Sequence, residues 1–116
     1  MSNIIDIKKS IEDRKKENEI REITLGLLAR TLYKNKFRKK QIIFITAFVD
    51  MQYDNIMLIK IIKSSAFIKG VTSKTRLIMK TEYVLINIGE YEPFELNIDL
   101  ESLKKDAEII LTNRDS

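Results

Sequence analysis

Neither cysteine nor histidine occurs in this 116-residue chain. Without cysteine there is no disulfide framework and no thiolate zinc site. Without histidine the commonest metal ligand and the commonest general base are missing. Glycine and proline are scarce, at three and one, and three scattered glycines cannot build a phosphate-cradling loop. With 44% hydrophobic and 33% charged residues the chain is globular and not a disordered tail. No apolar run approaches the roughly 20 residues of a membrane span. The N-terminus, with Asp6 close behind Ile4 and Ile5, lacks the charged-then-apolar layout of a signal peptide. The expectation is a single domain in the cytoplasm.

What is present in excess is positive charge, and it is segregated. The net charge is +4. Residues 1–29 are balanced, residues 30–80 carry twelve basic and two acidic side chains, and residues 81–116 carry three basic and nine acidic ones. A basic middle between a neutral head and an acidic tail suggests one face for a polyanion and another for packing or assembly. The plain alternative is a set of solvated surfaces whose signs happen to separate.

Taken in order, residues 3–34 look helical, with Ile4, Ile7 and Ile11 and then Leu25, Leu28 and Leu32 at 3-and-4 spacing. Arg14, Asn18 and Arg21 fall on the same stripe, which argues against an uninterrupted coiled coil. The reading is two helices, an exposed one to about Glu19 and a second from Glu19 to Lys34. Gly26 would allow close packing or mark a break. A strand competes over residues 23–27, where apolar residues also alternate. Residues 33–41 form a loop and helix entry with five basic residues, Lys34, Lys36, Arg38, Lys39 and Lys40, interleaved with Tyr33 and Phe37. Arg and Lys suit phosphate oxygens, and such contacts position a protein on a duplex without reading its sequence. Phe37 is read as core.

Residues 41–51 are apolar on every side, so periodicity does not decide between strand and helix; length and neighbours favour helix. Asp54 or Asn55 would cap a helix over residues 56–68. Its core face would hold Leu58, Ile59, Ile62 and Ala66, with Lys60, Lys63, Ser64 and Phe67 opposite. Gly70 would cap that helix in a left-handed conformation. Residues 75–79 and 83–88 alternate as strands, with residues 80–82 as a hairpin tip. After a turn over residues 89–93, residues 94–98 read as a short strand, and Asp99 caps a final amphipathic helix to about Thr112. The fold class is therefore α+β.

This order of elements resembles the winged helix-turn-helix proteins, over roughly residues 20–88 and without a diagnostic motif. The resemblance implies a domain with N-terminal helices, a β-hairpin wing and a C-terminal helix. It implies that Lys60, Lys63 and Ser64 lie on a helix in the major groove, with Lys74, Arg76 and Lys80 on the wing. A second register is similar to a helix-turn-helix at Ala66, Gly70, Val71 and Thr75, with residues 73–83 as the reading helix. Arg76 departs from that pattern, and the wing over residues 84–98 would carry Glu90, Glu92 and Glu95.

The function expected is duplex-DNA binding, as a transcriptional regulator or an accessory DNA-processing factor of a plasmid or phage. The candidate contacts are the loop cations, Lys60, Lys63, Ser64, Lys74, Arg76 and Lys80. A homodimer through the C-terminal helix would suit two half-sites. RNA binding through the same basic face, or an interaction or inhibitor protein that binds a partner protein, are the alternatives. The one opening for an enzyme is a carboxylate metal site at Asp50 with Asp54 or Glu90 with Glu92. The first pair more often flanks a turn, and the second has no evident third ligand. The chain is accordingly read as a non-enzyme without cofactor, metal or small-molecule ligand.

Overall fold

The structure, a computed structural model, describes the backbone of residues 4–75, 78–90 and 95–115 and the side chains of residues 11–70, 84–90 and 95–114. The elements are α1 (Ile4–Lys34), α2 (Lys39–Met51), a 3-10 turn (Tyr53–Asn55), β1 (Ile56–Ile62), β2 (Ser65–Thr75), β3 (Ile78–Asn87), β4 (Glu95–Asp99) and α3 (Leu100–Asp115). The four strands make one antiparallel sheet in the order β3-β2-β1-β4. The α+β class is as the sequence indicates.

The helices cover one face of this sheet. Ile59 and Ile61 of β1, Ala66 and Ile68 of β2 and Ile98 of β4 are buried. They meet Leu28 and Leu32 of α1, Ile45 and Val49 of α2, and Leu100 at the start of α3. Burying such side chains supplies about 1.5–3 kcal/mol each relative to exposure. Phe37 is buried, as expected of it. The alternate residues Leu58, Lys60 and Asn97 point to the other face, where none of the described helices lies, and are exposed.

Residues 39–51 form a helix because its buried positions, Gln41, Ile45 and Val49, recur every fourth residue. Its first turn is closed by the Gln41 side chain, whose Oε1 accepts from the Arg38 backbone N–H at 2.9 Å, one half of a capping box. Asp99 caps α3 as predicted, its Oδ1 accepting from the N–H groups of Glu101 and Ser102 at 3.0 and 3.3 Å.

Several expectations are corrected. α1 is one helix of 31 residues with no break at Glu19, and nothing lies within 4 Å of a side chain added at Gly26. So Gly26 marks neither a break nor a close contact, and the strand over residues 23–27 does not form. The helix over residues 56–68 does not form either. Ile56–Ile62 and Ser65–Thr75 are paired strands joined by Lys63 and Ser64, and Lys63 adopts φ 55, the left-handed conformation a two-residue turn demands. Ile59 and Ala66 face the core, but Leu58 and Ile62 fall on the outer face with Lys60.

Asp54 and Asn55 lie in the 3-10 turn and not at a helix start. Gly70 ends no helix. It sits inside β2 opposite Ile56, and a Cβ there would overlap the Asn55 carbonyl oxygen. Glycine is required because the Asn55 backbone approaches too closely there to leave room for a side chain. Residues 80–82 are not a hairpin tip but the middle of β3, paired with Gly70, Val71 and Ser73 of β2. The second register fails as well, since residues 73–75 and 78–83 are extended.

A cation-flanked tyrosine ties the far end of the helical layer together. The Arg21 guanidinium and the Lys104 ammonium lie 5.2 and 4.5 Å from the centre of the Tyr53 ring. Arg21 also donates to an Asp50 carboxylate oxygen at 2.7 Å and to the Asp50 carbonyl. α1, α2, the 3-10 turn and α3 thus share one polar joint.

Candidate nucleic-acid interface

Lys34 ends α1 and Lys39 and Lys40 begin α2, with Lys36 and Arg38 between; all five side chains are exposed. The loop is tight. The Phe37 N–H donates to the Leu32 carbonyl at 3.1 Å, Lys36 adopts φ 67, and the Phe37 ring is buried. Burying one aromatic turns the five flanking cations outward.

Two hydrogen-bonded links bring Lys63 to the same end of the molecule. The buried Gln41 side chain donates through Nε2 to the carbonyls of Ile88 and Glu90 at 2.8 and 3.1 Å. The Ile88 N–H in turn donates to the Ser64 carbonyl at 2.8 Å. The turn between β1 and β2 therefore lies beside the start of α2, with Lys63 exposed. Six cations and one acid, Glu90, thus lie at the end where the 13-residue α2 begins, and the first turn of that helix has no acidic residue. Oriented N–H groups and six positive charges act in one sense on an anion.

Two residues join this end beyond the candidates chosen from sequence. Arg30 lies one turn before Lys34 on α1 and is exposed, a position the i, i+4 spacing alone would identify. Gln41 carries no charge but fixes the loop to the sheet, and no local pattern distinguishes it from a solvent-facing glutamine. Tyr33 is 75% exposed next to Lys34.

Of the remaining candidates, Lys60, Lys74 and Lys80 do not join the cluster, and Ser64 is at this end without offering its side chain to the surface as the cations do. Lys60 projects from the middle of the outer sheet face and pairs with Glu95 at 3.4 Å. The side-chain amide of Asn97, with the Lys60 ammonium second, holds the Glu95 carboxyl below its ordinary value of 4.5. Ser64 is half-buried, and its carbonyl is used by Ile88. Lys74 and Lys80 lie on β2 and β3 at the opposite end of the sheet; Arg76 lies outside the described residues. Thus Lys60, Lys63 and Ser64 do not share the helix face assigned to them.

Of the carboxylate pairs, Asp50 is bonded by Arg21, Asp54 lies in the 3-10 turn, and Glu92 lies outside the described residues. Among the described residues no three acidic groups come together as a metal cage. Among them, too, no helix is long and apolar enough to cross a membrane. No protein-family model matches the chain, and neither a curated protein nor a solved structure matches it.

Proposed function

We propose that this protein binds duplex DNA through its phosphate backbone, with the end built from Lys34, Lys36, Arg38, Lys39, Lys40 and Lys63 as the contact. The observation that carries the reading is the joining of two separate basic segments at one end through Gln41, Ile88 and Ser64. Of the winged-helix resemblance this contact uses neither the reading helix at residues 56–68 nor the wing at Lys74, Arg76 and Lys80; its one hairpin cation is Lys63, in the turn between β1 and β2. Backbone contacts without a reading helix suit an accessory or architectural DNA-processing factor better than a site-specific repressor.

Anisotropy titrations of random duplex at two salt concentrations test this. Affinity should fall steeply with salt, by about 0.9 in logarithmic slope for each phosphate contacted. Reversing the charge of Arg38, Lys39 and Lys40 together should flatten that slope by about two to three units while the fold persists. An unchanged slope removes the cluster from the contact surface, and absence of binding at low salt overturns the reading.

A second reading, an interaction module, draws support from the outer sheet face. Leu58 and Leu85 are 42% and 61% exposed there, on either side of Phe67. A Leu85→Asp variant should then dissociate a complex without altering the salt slope for DNA.

A further inference from the structure

β2 outruns its neighbour on one side. β1 is paired with it only as far as Gly70, whereas β2 continues to Thr75 and pairs with β3 from Ile78 onward. Residues 71–75 and 78–81 therefore form a two-stranded ribbon beyond the four-stranded part of the sheet. Lys74 and Lys80 sit at register positions within it, Ser73 paired with Lys80 and Lys74 with Met79, so the ribbon carries one lysine position on each of its two faces, and its sequence has no acid before Glu82. At about 3.3 Å per residue, the 11 residues of β2 cover about 33 Å from the Lys63 turn to the end of the ribbon. That is close to one turn of B-form DNA, about 34 Å. Between the two ends none of the described helices covers the outer sheet face, where Leu58, Lys60 and Leu85 are exposed. Its acids, Glu95 and Asp99, lie on β4, the edge farthest from β3.

From this placement we infer that the ribbon is a second contact, and that both basic ends hold one duplex about one helical turn apart. The inference rests on the duplex-DNA reading above and adds to it a ligand of defined length and stiffness. Only a rigid duplex presents phosphates at a fixed 33 Å separation; a flexible single strand would have to be ordered first. Two linked contacts on one ligand gain from effective concentration, but only when the ligand reaches both sites.

The test is affinity against duplex length, using 8-, 12-, 16- and 24-base-pair duplexes and single strands of equal length, with folding of each variant checked by circular dichroism. The expected result is a rise of tenfold or more in affinity between the 8- and 16-base-pair duplexes, beyond the statistical gain in sites, with no such step for single strands. K74E/K80E should abolish the step and leave binding to the 8-base-pair duplex nearly unchanged, whereas K39E/K40E should weaken every length. Duplex binding without a length step, or a K74E/K80E variant that retains it, overturns the two-contact inference and leaves the basic-end reading standing. Failure to bind any duplex at low salt overturns both.

Discussion

Residues 42–49 and Ile56–Ile62 are built from much the same side chains, yet the first run lies in α2 and the second is β1. Each is dominated by isoleucine and neither is amphipathic by inspection. What separates them is the spacing of the residues that the rest of the chain buries. In α2 the buried residues are Gln41, Ile45 and Val49, a period of four. In β1 they include Ile59 and Ile61, a period of two, with Lys60 exposed between them. Local β propensity is a weak prior that such context overrides in either direction. The boundaries of each run add to the decision. α2 begins at an amide cap, while β1 ends in a left-handed turn that returns the chain as its own partner.

Paired truncations would break this comparison most severely. Ile45→Ala and Ile59→Ala should each cost about 2–5 kcal/mol, since both side chains are fully or almost fully buried. Ile43→Ala and Leu58→Ala, on the exposed faces of the same elements, should cost less than about 1 kcal/mol. Urea unfolding of the four variants checks the assignment. A helical period across β1, with Ile62→Ala as costly as Ile59→Ala and Ile61→Ala mild, would return residues 56–62 to a helix.

The same comparison explains what was legible in the sequence. α2 rests on length and neighbours because its periodicity is undecided, and β3 runs straight through residues 80–82, where local signals place a hairpin tip. α3 with its Asp99 cap and the strand ending at Asp99 follow from local signals. The hairpin at residues 56–75 does not, because Ile59, Ile62 and Ala66 satisfy a helical stripe as well as Ile59, Ile61 and Ala66 satisfy paired strands. Lys63 carries no turn signature of the Asn-Gly kind, so its left-handed backbone was invisible. Gly70 reads locally as a breaker, but its cause is the close approach of the Asn55 backbone, a contact between strand and turn that no local pattern encodes. The basic loop was legible as a cluster; its union with Lys63 was not, because a long-range hydrogen bond from Gln41 makes it.

A smaller effect sharpens the difference at the element boundaries. Gln41→Ala removes the acceptor for the Arg38 N–H and the donors to Ile88 and Glu90. One buried carbonyl then loses its partner, so the expected loss is about 1–3 kcal/mol. The basic end should come apart with it. Protection of the Arg38 amide against exchange should fall, and any DNA affinity should drop although no charge has changed. Full affinity in a folded Gln41→Ala variant would show that Lys63 does not act with the loop.

The smallest expected effect distinguishes the two runs by pH. The amide cap of α2 does not titrate, but β1 is joined to β4 through Lys60 and Glu95. The Glu95 carboxyl is held below 4.5, first by the Asn97 side chain and then by Lys60. A carboxyl lowered by folding stabilises the fold above its unfolded value and ceases to do so as pH falls through its folded value. The seam between β1 and β4 should therefore weaken below pH 4.5 while α2 is unaffected, the effect staying small because the pair is solvent-exposed. In an NMR titration, Asn97→Ala should raise the Glu95 midpoint more than Lys60→Ala does, in keeping with the order of causes. A wild-type midpoint at or above 4.5 would mean that Lys60 has no fixed partner on the sheet, and would return it to the cations able to meet phosphate.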